Sequence, residues 1–559
     1  MRENSGWVIL GTFSILKFQS SISEFLAYFL PWRFGVLAVH PHFAFWDWGR
    51  STIACTPARR TRMAVSKFLA FDLGAESGRA VLGTLEGKKL SLEEKHRFAN
   101  PYGKMSGRLQ WNLLAQWEEL KTGLRKVAPD VREAGGLSGI GVDTWGVDVG
   151  FLTKSGEILG NPMVYRDPAT DGMMERAFAK VSREKIFQAT GIQFMRINTL
   201  YQLVAMRQRD SQVLQMADTM LFMPDLYNYL LCGTRRCEMS IASTSQMFDP
   251  RRKQWATELL QALDIPTGML AEIIPSGSVV GRLLTEVADE CGIRPAPVIA
   301  PGCHDTASAV AAVPADGARS DDWCYISSGT WSLMGVELNE PIVSDKALQY
   351  NYTNEMGVGG KVRFLKNIMG LWLVQECRRQ WQRQGYDHSY GELTAMAGRA
   401  PAFGSLIDPN HGPFLTPGEM IEKIDRFCTD TQQRTPGSRG EYVRTCLESL
   451  ALAYRKTVEG LEDIVGKKIR IIHIVGGGAQ NELLNQMTAN ACNRVVLAGP
   501  VEATAAGNIL VQAMAVNDVE SLEAARAVVR ESFDVKRYEP QDVKKWDAAY
   551  ERYSKIVER

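Results

Sequence analysis

Two stretches far apart in the chain read as the same unit: FLAFDLGAESGRAVLG (residues 68–83) and WCYISSGTWSLMGVEL (residues 323–338) are each an apolar strand, a glycine turn and a second strand. Each is followed downstream by an amphipathic helix and a short apolar strand. After the first, KLSLEEKHRF reads as a third strand, and Asn112 caps a helix whose Leu113, Leu114, Trp117, Leu120, Leu124 and Val127 keep helical spacing before Pro129. GIGVDTWG then reads as a buried strand. After the second, Leu447, Leu450, Ala451, Tyr454, Val458, Leu461 and Val465 trace one face of a long helix leading into KIRIIHIVGGGAQN. A duplicated plan of this kind predicts two similar α/β domains facing across a cleft, where small ligands bind. The intervening residues 151–300, with a polar YRDPATDG loop and helical NTLYQLVAMRQR and MPDLYNYLL, read as an elaboration on the substrate side.

The length of 559 residues fits two large domains with additions. With 64 Lys and Arg against 63 Asp and Glu, no charge bias points to nucleic acid or a membrane surface. Arg59, Arg60 and Arg62, and Arg251, Arg252 and Lys253, lack interleaved aromatics and read as solvated surface. The ten cysteines form no CxxC pair or zinc-spaced cluster, which suggests a reducing, cytoplasmic setting without structural metal. Cys303 reads as a small buried filler, and His473 as a satisfied strand residue.

Residues 1–65 differ from the rest. They are crowded with aromatics, show no sustained period, and carry Lys17, Glu24 and Arg33 inside the apolar runs, so no clean span of a bilayer is present. An upstream extension ending near Met63, outside the functional fold, is the expectation; an organelle-targeting peptide is the alternative.

The chemistry concentrates in loops. In APGCHDTASAVAAV (residues 300–313), Asp305 stands at the start of a small-residue helix, where a carboxylate can accept a proton from a substrate hydroxyl or simply cap the helix. DLGAESGR offers a tight turn whose amides can face phosphate oxygens, with Asp72 at the strand end to hold Mg²⁺ through water. SSGTWS supplies a matching clamp through Gly329 and Thr330. GVDTWGVD brings Asp143 and Gly146, and GGGAQN leaves bare backbone at Gly476, Gly477 and Gly478 for an adenine and ribose. Any one loop is also an ordinary turn; the set of four on a duplicated fold is what points to nucleotide and sugar.

These motifs, together with MVYRDPAT, GIQFMRINTLYQL, MPDLYNYLL, HDTASAV, KNIMGLWLVQ, HIVGGGAQNELLNQ and AGPVEATAAGNI, resemble the FGGY carbohydrate-kinase family of the actin/Hsp70/sugar-kinase superfamily, from about Ser66 to the C-terminal region. HDTASAV with KNIMGLWLVQ resembles the branch that acts on rhamnulose. The resemblance implies two ribonuclease H-like (actin-like ATPase) domains: residues 66–313 for sugar and phosphate, and residues 314–559 for nucleotide. It implies transfer of the ATP γ-phosphoryl group, with Mg²⁺, to the 1-hydroxyl of L-rhamnulose. It also implies that Asp305 is the proton acceptor; that Gly146, His304, Thr306 and Asn367 contact the sugar; and that Ala75, Glu76, Ser77, Gly78, Arg79, Thr330, Gln375 and Gly477 form the nucleotide site. Glu76 stands where some members carry Ser, and a carboxylate beside phosphates must point outward or serve Mg²⁺. Two other readings stay open: a sister kinase for xylulose, fuculose or another polyol, and a non-catalytic sugar sensor on the same fold. The oligomeric state is not legible.

Overall fold

The computed structural model describes residues 65–132, 135–316 and 322–558, so the expectation for the N-terminal extension lies outside the described residues. Two mixed sheets organise the chain. We number their strands in chain order. The first sheet comprises β1 (Val65–Leu73), β2 (Ser77–Glu86), β3 (Lys89–Ala99), β4 (Gly139–Thr144), β5 (Ser278–Arg282) and β6 (Pro297–Ala300). The second comprises β7 (Trp323–Ser328), β8 (Trp331–Leu338), β9 (Thr353–Met356), β10 (Val362–Met369), β11 (Ile471–Val475), β12 (Val495–Ala498) and β13 (Lys536–Tyr538).

The duplication is visible in the strand order. The first sheet runs β3-β2-β1-β4-β6-β5 and the second β9-β10-β8-β7-β11-β12-β13. In both, an antiparallel hairpin (β1–β2, β7–β8) extends by one antiparallel strand (β3, β10), and its first strand pairs in parallel with β4 or β11. A second parallel strand and an antiparallel edge strand complete each sheet. β9 is an addition with no counterpart. Parallel central strands are covered on both faces, which is why β4 is buried along its whole length, Asp143 and Thr144 at its end included.

Helix α1 (Leu113–Arg132) begins as expected, with the Ala115 amide donating to Asn112 Oδ1 at 3.2 Å. It does not stop at Pro129, which lies inside its last turn. Leu114 faces solvent at 70 % exposure, so the buried stripe is narrower than the leucine spacing suggests. Four further helices matter for the cleft: α2 (Asp305–Ala311), α3 (Trp372–Arg383), α4 (Arg439–Val465) and α5 (Ala503–Ala515). Helix α5 follows the second sheet in the chain yet packs on β1, β4 and α2 of the first lobe. The contact is close because Gly507 has no side chain: a Cβ there would stand 1.8 Å from the Ser308 carbonyl oxygen. Polar bonds cross the same seam, from Asn508 Nδ2 to Asp143 Oδ2 at 2.5 Å and from Gln512 Nε2 to the Leu69 carbonyl at 3.1 Å.

Two smaller expectations need correcting. A hairpin of Tyr102–Met105 and Arg108–Trp111 precedes α1 and was not foreseen, because its first strand is exposed throughout and carries no alternation. His473 is buried in β11 against the Trp323 ring, but its Nδ1 has no hydrogen-bond partner, and burial lowers the imidazole pKa to about 4. All nine cysteines among the described residues are free thiols, Cys303 being fully buried, and no described helix is long and apolar enough to cross a membrane.

Candidate active site

A cavity of about 740 Å³ lies between the two sheets' lobes and takes its walls from both. Asp305, His304, Thr306, Gly146 and Asn367 line one end. Asp72, Ala75, Glu76, Ser77 and Arg79 of the first glycine turn, Gly329 and Thr330 of the second, Gln375 on α3, and Gly476 and Gly477 after β11 line the remainder. Residues spread over some 400 positions of sequence thus meet because both hairpin turns and both parallel strands end on the same side of their sheets.

Asp305 opens α2. His304 occupies the cap position in an extended conformation, so Asp305 is the first helical residue rather than the cap. Its Oδ1 accepts the Thr306 amide at 2.5 Å and the Thr306 hydroxyl at 3.1 Å, and His304 Nε2 stands 3.4 Å away. The side chain keeps 29 % of its surface open to the cleft. Burial pushes the carboxyl pKa up and the neighbouring Asp72 adds to the push, while His304 and the Thr306 bonds oppose it. A carboxylate with one oxygen tied down and a raised proton affinity is suited to take a hydroxyl proton.

At the same end, Asn367 is held by Gln193. The amide of Asn367 donates to Gln193 Oε1 at 2.8 Å, and its Nδ2 reaches the same oxygen at 3.1 Å. The Trp145 indole is fixed through the fully buried Asp148, whose Oδ2 accepts from Trp145 Nε1 at 2.9 Å and Trp111 Nε1 at 2.7 Å, while Oδ1 accepts from Gln202 at 3.1 Å. Burial raises Asp148 to about 7 against these donors.

The first glycine turn is shaped by Asn100, which donates from Nδ2 to the Gly74 carbonyl at 2.8 Å and from its amide to the Glu76 carbonyl at 2.9 Å. The Ala75 and Glu76 amides are left without a backbone acceptor among the described residues. Gly78 departs from the implied set: it does not line the cavity, and a Cβ there would meet the Phe98 ring at 2.2 Å, so its bareness serves packing of β2 on β3. Glu76 does not face the phosphates unpaired. Its carboxylate is bound by Arg379 of α3, which also binds Glu376, so the turn of one lobe is tied to a helix of the other. Arg79 is likewise engaged, by Asp72 at 2.5 Å and by Glu502.

After β11, Gly476 has a left-handed φ of 84° and turns the chain out of the strand. A Cβ on Gly477 would meet nothing within 4 Å, so this position opens into the cavity. Gln375 Oε1 is a buried acceptor with no protein partner, suited to the donor groups of a bound base.

The carboxylates fit a nucleotide-borne Mg²⁺ better than a protein-held ion. Asp72 has only one oxygen engaged by Arg79, and Asp143 beside it is fully buried with Oδ1 unpartnered and its carboxyl pushed well up by burial and by Asp72. No group of three or more His, Cys, Asp or Glu among the described residues is arranged to hold a metal. Mg²⁺ keeps several waters and uses few carboxylates, so this sparse set suits it.

Sequence reasoning missed Glu355 and Arg363 on β9 and β10, Gln193, and the Asn508–Gln512 seam. Asp148 was within reach, since it closes the GVDTWGVD motif, and so were Gln193 and Asn508, which lie in GIQFMRINTLYQL and AGPVEATAAGNI; Glu355, Arg363 and Gln512 sit in segments whose only sequence signal is strand or helix propensity.

Residues 67–312 match the N-terminal domain of the FGGY family of carbohydrate kinases, and residues 324–516 match the C-terminal domain of the same family. The chain belongs to the FGGY family of carbohydrate kinases. Similar relatives include the rhamnulokinase of Bacteroides thetaiotaomicron, 42 % identical over 88 % of this chain and 99 % of that protein, and the rhamnulokinase of Bacillus subtilis, 38 % identical over 85 % and 96 %. Solved structures of similar fold include a ligand-bound xylulose kinase from Lactobacillus acidophilus, with a TM-score of 0.72 at 15 % identity, covering 88 % of this chain and 98 % of that one. Plasmodium falciparum glycerol kinase with ADP has a TM-score of 0.68 at 16 % identity, covering 89 % and 98 %. The two-domain α/β fold expected from the duplication is therefore the FGGY fold, and the chain is a carbohydrate kinase that uses a sugar and ATP.

Proposed function

We propose that this kinase transfers the γ-phosphoryl group of ATP to the 1-hydroxyl of L-rhamnulose, giving L-rhamnulose 1-phosphate and ADP in L-rhamnose breakdown. The observation that carries the reading is that Asp305, with one oxygen free, shares a single cavity with both glycine turns. The rhamnulokinase relatives give the sugar.

Phosphoryl transfer passes through a loose transition state, so positioning and charge neutralisation supply most of the acceleration. Gly146, His304, Thr306 and Asn367 hold the ketose so that its C1 hydroxyl points at Asp305. The amides of Ala75 and Glu76, with Thr330, take phosphate oxygens from opposite lobes and line the terminal phosphorus up with that hydroxyl. Gln375 and Gly477 receive the adenosine end. Asp305 orients the attacking oxygen and accepts its proton as the P–O bond forms. Asp72 would hold Mg²⁺ through water, and the ion would supply charge neutralisation to the phosphates. The walls from two lobes keep bulk water from competing as the acceptor.

A sister reading with another ketose has the same chemistry and differs only around Trp145, Asn198 and Asn367. A coupled ADP-release assay with L-rhamnulose beside L-fuculose and D-xylulose separates the two. A kcat/KM highest for L-rhamnulose is expected; preference for another ketose by tenfold or more would reassign the substrate. No ketose-dependent ADP release would favour the sensor reading.

A further inference from the structure

Resting on the reading of Asp305 as the base, we propose that Arg363, on the nucleotide lobe, is a positioning residue that fixes the proton of His304 on Nε2 and so aims that N–H at Asp305.

Arg363 is fully buried on β10, and no part of it reaches the cavity. Its Nε donates to the Met356 carbonyl at 3.0 Å, which orients the guanidinium, and its Nη2 stands 3.1 Å from His304 Nδ1. A guanidinium has donors and no acceptor. Toward Arg363, Nδ1 can only accept, and an imidazole that accepts at Nδ1 carries its hydrogen at Nε2; a hydrogen on Nδ1 would point instead to Glu355 Oε2 at 3.2 Å. Nε2 is the nitrogen 3.4 Å from Asp305 Oδ1. That contact is long, as catalytic contacts often are before substrate arrives.

The consequence is a division of labour between the two carboxylate oxygens. Oδ1 gathers the Thr306 amide, the Thr306 hydroxyl and the imidazole N–H, all donors. Oδ2 has no protein partner among the described residues and is left to the sugar hydroxyl. The opposite tautomer would aim the Nε2 lone pair at Oδ1 and repel it.

Glu355 supplies the competing arrangement. Its Oε2 lies 3.2 Å from both His304 Nδ1 and Arg363 Nη2, yet takes no hydrogen bond from either. Its carboxylate, 3.2 Å from Nη2, balances the charge of the buried guanidinium. Because Arg363 and Glu355 belong to one lobe and His304 and Asp305 to the other, the base is complete only when the lobes are together.

The test reads the tautomer and the turnover separately. Long-range ¹H–¹⁵N spectra of the ¹⁵N-histidine-labelled protein, with His304 assigned by its loss in His304→Gln, are expected to show a protonated Nε2 and a bare Nδ1. A protonated Nδ1 in the wild type would overturn the proposal. Arg363→Met alone strands Glu355, so the perturbing variant is Arg363→Met with Glu355→Gln, and Arg363→Lys serves as the conservative partner. In the double variant the Nδ1 and Nε2 signals should shift, and kcat should fall on the order of tenfold or more with KM for ATP unchanged. Arg363→Lys should retain the wild-type tautomer and most of kcat. Unchanged kcat in a folded double variant would overturn the proposal. If wild-type protein shows no ketose-dependent ADP release, the functional reading fails by itself, and the spectra still decide the tautomer.

Discussion

Replacing Asp305 by Asn removes the proton acceptor while leaving almost every contact in place. The amide oxygen can occupy the position of Oδ1 and go on accepting from the Thr306 amide and hydroxyl at 2.5 and 3.1 Å, so the start of α2 and the sugar site keep their shape. General-base assistance contributes roughly 10²–10⁴-fold, or about 3–5 kcal/mol of barrier. Turnover of Asp305→Asn should fall by that range in the ADP-release assay. Binding of the ketose, followed by fluorescence of Trp145 at the same end of the cavity, should change by no more than about threefold. Stability supplies the control. The Asp305 carboxyl is raised above its ordinary value by burial, so the folded protein holds this proton more tightly than the unfolded chain does. Ionising it as pH rises therefore costs stability, and the Asn variant should be at least as stable as the wild type near pH 8. A stable variant with turnover within about threefold of wild type would refute the assignment of the base.

Three further outcomes follow from the same geometry. Gly477→Val adds a side chain into open space, so the protein should fold normally while KM for ATP rises on the order of tenfold and that for sugar stays put; unchanged ATP affinity would remove this loop from the nucleotide site. Asp72→Asn should raise the Mg²⁺ concentration for half-maximal rate several-fold, as read in a Mg²⁺ titration at fixed ATP, and an unchanged titration would show that Asp72 serves only Arg79. Asp148, raised by burial from 3.8 to about 7, should cost the fold on the order of 4 kcal/mol as pH rises across that window. The melting temperature of Asp148→Asn relative to wild type should therefore climb from pH 4 to pH 7; a constant difference would show that Asp148 does not titrate there.

Much of the fold was legible because the duplicated hairpins and the parallel strands behind them write their burial directly into residue order. β4 and β7 are runs of buried residues, and α4 carries its apolar face over the expected length. The loops at the strand ends were legible for the same reason: a strand of known direction fixes which end its turn occupies. What escaped depends on contacts between distant segments. Glu355 and Arg363 look like ordinary polar positions in β9 and β10, and only the meeting of the lobes brings them to His304. Glu76 was a puzzle because its neutralising partner, Arg379, lies about 300 positions away on α3. Gly78 was read with its neighbours in the turn, whereas Phe98 on the adjacent strand determines its role. Pro129 within α1 shows a tertiary context overriding a local stop signal, since its missing amide leaves the Arg125 carbonyl without a helical donor one turn before the helix ends.

The central claim is that a ketose C1 hydroxyl is held in line between Asp305 and the terminal phosphorus of ATP. Phosphorus NMR of the product formed from L-rhamnulose and ATP tests it most directly. A phosphomonoester resonance coupled to the two C1 protons, growing in roughly 10²–10⁴-fold more slowly when Asp305→Asn replaces the wild type, is the expected result. A phosphoester on any other carbon, or inorganic phosphate alone, would contradict the account.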